Sequence, residues 1–143
     1  MRLINSAGLA LIKESEGLRL EAYPDTADPP IWTIGYGHTR GVKKGDTCSQ
    51  MQAEDWLEAD LLVAEAEVER CVKVRLTDNE YAALVSFAFN ERDFHRSTLV
   101  KKLNAGNYEI VPSELRKWIY AGGKISKGLV TRRNAEATLW GIK

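Results

Sequence analysis

Apolar residues recur along most of the chain at the three- and four-residue steps of an amphipathic helix. Leu9, Ile12 and Glu16 share one face of a first helix that Asn5 or Ser6 can cap, and Gly17 stands where helices commonly stop. Between residues 22 and 39 the pattern changes. Pro24, Asp25, Asp28, Pro29 and Pro30 link Ala22-Tyr23 to Ile31-Trp32-Thr33-Ile34, which predicts a small β-hairpin or meander. A long acidic helix is expected from about Ser49 to Arg70, opened by Thr47 or Ser49, with Met51, Leu57, Leu61 and Val68 among its apolar positions. Thr77 with Glu80 makes a capping-box signature ahead of Tyr81, Leu84, Val85 and Ala88. Shorter helices follow around Ser97–Asn104, Pro112–Tyr120 and Leu129–Trp140, broken at Gly106 and at Gly122-Gly123. The expected architecture is one mostly helical α+β domain over 1–143. A hairpin subdomain (about 17–46) is joined by a long helix (about 49–70) to a helical lobe (about 71–143).

Composition narrows the class. A chain of 143 residues, 44% hydrophobic and 28% charged, suits one folded globular domain and excludes disorder. No apolar run approaches the ~20 residues of a membrane span. Met1-Arg2-Leu3-Ile4-Asn5-Ser6 lacks the apolar segment of a cleavable signal, so a cytoplasmic start without stable membrane insertion is expected. The net charge is zero, but it is unevenly spread. Residues 1–94 hold 10 Lys/Arg against 17 Asp/Glu, and residues 95–143 hold 10 against 3, so the halves carry −7 and +7. A basic second half suits an anionic polymer, whether nucleic acid or the carboxylates of peptidoglycan; an unevenly charged solvated surface fits equally. Cys48 and Cys71 flank the long helix. At ~1.5 Å per residue they stand roughly 34 Å apart, far beyond the about 7 Å of a disulfide, so reduced thiols are expected. His38 and His95 are the only histidines and neither sits in a ligand cluster, so no metal or other cofactor is expected.

The candidate chemistry lies between residues 16 and 39. At ~100° per residue, Glu16 falls about 40° from Ile12 and about 20° from Leu9, on the apolar face, whereas Glu14 falls about 200° from Ile12. An apolar setting disfavours the charged form of a carboxyl group, which suits a general acid. A fraying helix end whose carboxylate reaches water is the alternative. Asp25 sits in a polar turn where a carboxylate stays ionised. Two carboxyl groups in contrasting surroundings are the usual apparatus of glycoside hydrolysis, though Asp also starts turns for its own sake. Thr33 puts a hydroxyl on the returning strand, able to hold a water beside Asp25; β-propensity alone also explains it. Gly35 and Gly37 alternate with larger residues, which weakens a strand unless a saccharide or other group must approach its backbone closely. They do not make a dinucleotide fingerprint, which needs a third glycine and a following helix.

Glu16-Gly17, Asp25 and Thr33-Ile34-Gly35-Tyr36-Gly37-His38 together resemble the catalytic motif of the phage lysozymes of glycoside hydrolase family 24. The similarity continues through the long helix, Leu84-Val85-Ser86-Phe87-Ala88-Phe89-Asn90, Ser97-Thr98-Leu99 and Arg132-Arg133, covering nearly the whole chain. The resemblance implies a lysozyme-like fold and a muramidase that cuts peptidoglycan with inversion, for host lysis. Glu16 is then the general acid, with Asp25 and Thr33 handling the water. Gly35, Tyr36, Thr39 and Phe89 are the expected sugar contacts, although Phe89 fits a core aromatic as well. His38 is expected to pair with Asp60, tying hairpin to helix. The family usually has five residues between its Asp and Thr. This chain has seven, Thr26 to Trp32, and the two extra preserve strand alternation. The implied life history is a monomer held in the host cytoplasm until a separate holin releases it to the periplasm and cell wall, with no nucleic-acid partner. Two rival readings remain. A lytic transglycosylase cuts the same bond without needing a water-holding pair, and a noncatalytic wall-binding or nucleic-acid-binding module has no use for Glu16 and Asp25.

Overall fold

In the computed structural model, which describes residues 2–143, helix α1 spans Ser6–Glu16 and is capped by Asn5, whose Oδ1 accepts the Gly8 N–H at 3.0 Å. It ends at Gly17, whose φ of 71° lies in the left-handed region that glycine enters without cost, while its N–H closes on Lys13 O. Strands β1 (Arg19–Pro24) and β2 (Trp32–Gly35) pair antiparallel, with Tyr23 opposite Thr33 and Pro24 opposite Trp32. Glu21 makes a further bridge to Thr47, so the hairpin is a short meander.

Helix α2 (Gln50–Cys71) opens at Ser49, whose hydroxyl accepts the Gln52 N–H while the Gln52 carboxamide accepts the Ser49 N–H. Its buried stripe is Ala53, Leu57, Leu61, Ala64 and Val68. Met51 is 75% exposed, contrary to its predicted apolar role, because it lies about 200° around the helix from Ala53. Cys48 and Cys71 are free thiols.

Two compact units divide the chain: Lys13–Leu61, and the remainder, which joins the first twelve residues to Leu62–Lys143. In the larger unit α3 (Asp78–Asn90) is the central helix, with every residue from Glu80 to Ala88 buried. Its start is the predicted capping box: the Thr77 hydroxyl accepts the Glu80 N–H, and Glu80 Oε1 accepts the Thr77 N–H. Around it lie α4 (Thr98–Asn104, capped by Ser97), α5 (Val111–Leu115) and α6 (Lys127–Gly141, capped by Ser126). The core is filled by Phe87, Phe94, Leu99, Leu103, Val111 and Leu115. Arg133 and Glu136 are also fully buried. Their guanidinium and carboxylate join each other, the Ser86 hydroxyl, the Asn90 amide and the Trp118 carbonyl in one network.

The helix predicted over Pro112–Tyr120 stops at Leu115. Beyond it the chain forms a second hairpin, β3 (Tyr120–Ala121) with β4 (Lys124–Ile125). The physical reason is the turn. Gly122 and Gly123 take φ of 58° and 79°, the pair of positive values that a two-residue hairpin turn with matching twist requires.

Candidate active site

In the smaller unit, the end of α1 supplies Glu16, half-buried, whereas Glu14 faces solvent. The Glu16 carboxyl group packs on the α-carbon of Gly37: a Cβ built there would stand 2.6 Å from Oε1 and 3.1 Å from Cδ. Gly37 lies in a closed turn in which Ile34 and His38 exchange backbone hydrogen bonds of 2.9 Å each, with Gly35 and Gly37 at φ of 66° and 80°. Strand β2 therefore ends at Gly35. A close approach at these glycines is made by Glu16 at Gly37 and by Ala53 at Gly35.

Asp25 is half-buried at the mouth of the β1–β2 turn, which contains a cis Asp28–Pro29 peptide. Its Oδ1 accepts the backbone N–H groups of Ala27 at 3.0 Å and Ile31 at 2.7 Å, and its own N–H donates to Ile31 O. Thr33 is buried, and its hydroxyl donates to the same Ile31 carbonyl at 3.1 Å. Asp25 and Thr33 are thus joined through one peptide despite the seven-residue separation. The outcome is a directional pair. Oδ1 is engaged by two donors, while Oδ2 accepts no hydrogen bond from the described residues; the only hydroxyl proton of Thr33 is used, so toward a third molecule Thr33 can only accept.

Tyr23 was not singled out from sequence. It lies on the same sheet face as Thr33, directly across the ladder, with the Arg19 guanidinium 4.5 Å over its ring. Burial pushes the phenol pKa up, the negative charge of Glu16 adds to this, Arg19 opposes it, and Asp25 adds a further rise. The phenol is therefore a neutral donor within electrostatic reach of both carboxylates. The available signal was Tyr23 standing two residues before Asp25 on a strand paired with Thr33.

The other candidates separate into different settings. His38 Nδ1 lies 2.8 Å from Asp60 Oδ2, and its ring stacks on Trp56 with centroids 4.6 Å apart. Tyr36 is buried, its hydroxyl donating to Glu54 at 3.3 Å. Lys13 completes that cluster, 2.6 Å from Glu54 and over the Tyr36 ring. The hydrogen bond from Lys13 is the main reason the Glu54 pKa is lowered. Gly35 is buried, and Thr39 is exposed. Phe89 belongs to the larger unit, half-buried near the end of α3; the core aromatic of that segment is Phe87, edge-on to Phe94 and Trp118. Among the described residues no group of three or more His, Cys, Asp or Glu could hold a metal ion.

Solved structures share this fold. The chain is similar over its full length to the muramidase domain of SpmX from Asticaccaulis excentricus, at 32% identity and a TM-score of 0.91, covering all of both chains. It is also similar to the endolysin from Escherichia coli O157:H7 phage FAHEc1, at 38% identity and a TM-score of 0.86, over 98% of this chain and 94% of that one. The fold is therefore lysozyme-like, and the class is a lysozyme-type glycosidase. The phage lysozyme family profile matches residues 13–136, and the endolysin of Acyrthosiphon pisum secondary endosymbiont phage 1 is 44% identical over 96% of this chain and 97% of its own length. The chain belongs to the phage lysozyme family. It spans about half the length of two other similar proteins, the endolysins of Bacillus phages B103 and PZA.

Proposed function

We propose that this protein is an endolysin that hydrolyses the β-1,4 bond between N-acetylmuramic acid and N-acetylglucosamine in bacterial peptidoglycan, with inversion. Glu16 protonates the leaving oxygen, and Asp25 with Thr33 holds the attacking water. The observation that carries this reading is the donor–acceptor balance of the pair. A water bound by Asp25 Oδ2 and by Thr33 Oγ1 donates both its protons, which leaves its lone pairs facing the sugar. Such a water attacks from the face opposite the leaving group, the geometry of inverting glycosidases. The packing of Glu16 on Gly37 at a helix end supports this role, because it restrains the carboxyl group instead of leaving it to sample solvent. The lytic role follows the endolysin relatives, and release by a separate holin is proposed with it.

Mass spectrometry of digested peptidoglycan tests the reaction. Hydrolysis gives reducing muramic ends. Anhydromuramic ends would replace it with transglycosylation, and an absence of new ends would leave a binding module. Glu16→Gln keeps the shape of the site but removes the proton, so the rate should fall by at least ~10²-fold, while Glu14→Gln, on the solvent side, stays near wild type. Equal rates for the two variants would overturn the assignment of the acid.

A further inference from the structure

The proposed reaction leaves the phenol of Tyr23 without a task. Tyr23 is half-buried on β1, and its hydroxyl makes no hydrogen bond to any described residue. Its ring, by contrast, is held. The Arg19 guanidinium lies 4.5 Å over it, a cation–π contact made from the same strand. A side chain fixed at its ring and free at its polar end is prepared for a partner that arrives from outside.

The strand ladder sets the direction of that polar end. Tyr23 stands directly opposite Thr33, so both side chains rise from one face of the hairpin, whereas the next pair, Pro24 and Trp32, takes the other. The Asp25 N–H donates to Ile31 O, which continues the ladder one step. Asp25, two residues beyond Tyr23, thereby returns to the face of Tyr23 and Thr33. Burial first, and then the negative charge of Glu16, keep the phenol protonated, with Asp25 adding to the effect and Arg19 opposing it.

The chemistry of this face lacks a donor without it. Toward an incoming molecule, ionised Asp25 at Oδ2 and Thr33 at Oγ1 can only accept, and both are assigned to the water. Neither can hold an acceptor oxygen of the sugar, and a neutral phenol can. We propose that Tyr23 is a further catalytic residue: its O–H donates to an acceptor oxygen of the sugar whose anomeric carbon the water attacks, and so holds that sugar against Asp25 and Thr33. The proposal rests on the muramidase reading of this site and adds to it the group that orients the glycan. Hydrogen bonds to the attacked sugar strengthen as its ring gains positive charge in the transition state, so the loss of this one falls mainly on kcat.

The test measures the full chain on soluble peptidoglycan fragments. Tyr23→Phe keeps the ring and its Arg19 contact but removes the donor. Its kcat should fall about tenfold with little change in KM, and its thermal melting should match wild type. A fluorinated tyrosine placed at position 23, whose phenol ionises at lower pH, should work at near-wild-type rates in mild acid. Its rate should then fall as pH rises through that ionisation, a step absent from the natural protein. A ring that serves only packing would show neither effect. Wild-type kcat in Tyr23→Phe, or a fluorotyrosine profile that matches the natural one, overturns the proposal. The hydrolytic reading fails separately, if Glu16→Gln keeps its rate or no reducing muramic ends appear.

Discussion

Gly37 has no side chain because the Glu16 carboxyl group occupies the space that one would take. Two effects are combined at this residue: a positive φ and a close approach by the proposed acid. Gly41 separates them, since it has φ of 72° but nothing within 4 Å of an added Cβ. Both Gly37→Ala and Gly41→Ala should lose about 1–2 kcal/mol of stability from the left-handed backbone. Only Gly37→Ala should also displace Glu16 and lower the rate of wall hydrolysis, by an amount approaching that of Glu16→Gln. Urea unfolding with turnover measured on the same samples checks this, and matching activities for the two alanine variants would refute it. At this scale the motif proposed Glu16, Asp25 and Thr33. It did not give their partners. Gly37 and the Ile31 backbone act on these side chains through contacts set by folding, which local spacing does not encode.

Among the elements, the most local devices were the most legible. The capping box at Thr77 and Glu80 and the stop at Gly17 each depend on residues within one turn, so sequence sufficed. Helix α5 was overextended because apolar spacing continues through Trp118 and Ile119, whereas the Gly-Gly turn favours a hairpin just beyond. The same element carries a pH prediction. Glu114 is buried, and its pKa is lowered, chiefly by the hydrogen bond from Lys117, against the cost of burial and with Lys102 helping. A carboxyl group whose folded pKa is depressed stabilises the fold above its unfolded value of 4.5, and that contribution disappears as pH falls through the folded value. Glu114→Gln should therefore melt below wild type at neutral pH, and the gap should close as pH drops from about 4.5. Melting curves taken across that range decide it; a gap that stays constant into acid would show that the ion pair is not its source.

For the whole molecule, the +7 of residues 95–143 was read as a candidate basic face. Folding trims that face. Arg132 and Arg133 are buried with Glu136, and Lys102 and Lys117 share Glu114, so the uncompensated charge narrows to fewer side chains, Lys124 and Lys127 included. Exposed charges act over about 8 Å at physiological ionic strength, and added salt shortens that reach. Hydrolysis of whole cell walls should fall as salt rises although the net charge is zero. The combined Lys124→Glu and Lys127→Glu change should flatten that dependence while leaving thermal stability nearly unchanged, because exposed charges contribute little to it. A salt-independent rate for the unaltered protein would remove any role for these charges in holding the wall.

The sequence by itself determined most of the helices, the capping box at Thr77, the first hairpin and the choice of candidate catalytic residues, because periodicity, caps and turns are local and the motif spans a short stretch. Tertiary structure alone decided the rest. It put Met51 in solvent and Tyr36 in the interior, and it joined Ser86 to Glu136 across fifty positions. It brought Glu16 onto Gly37 and tied Asp25 to Thr33 through the backbone of Ile31. Those outcomes depend on which surfaces meet when distant segments pack. A buried charge can be told from an exposed one only when its partner, remote in the chain, has arrived.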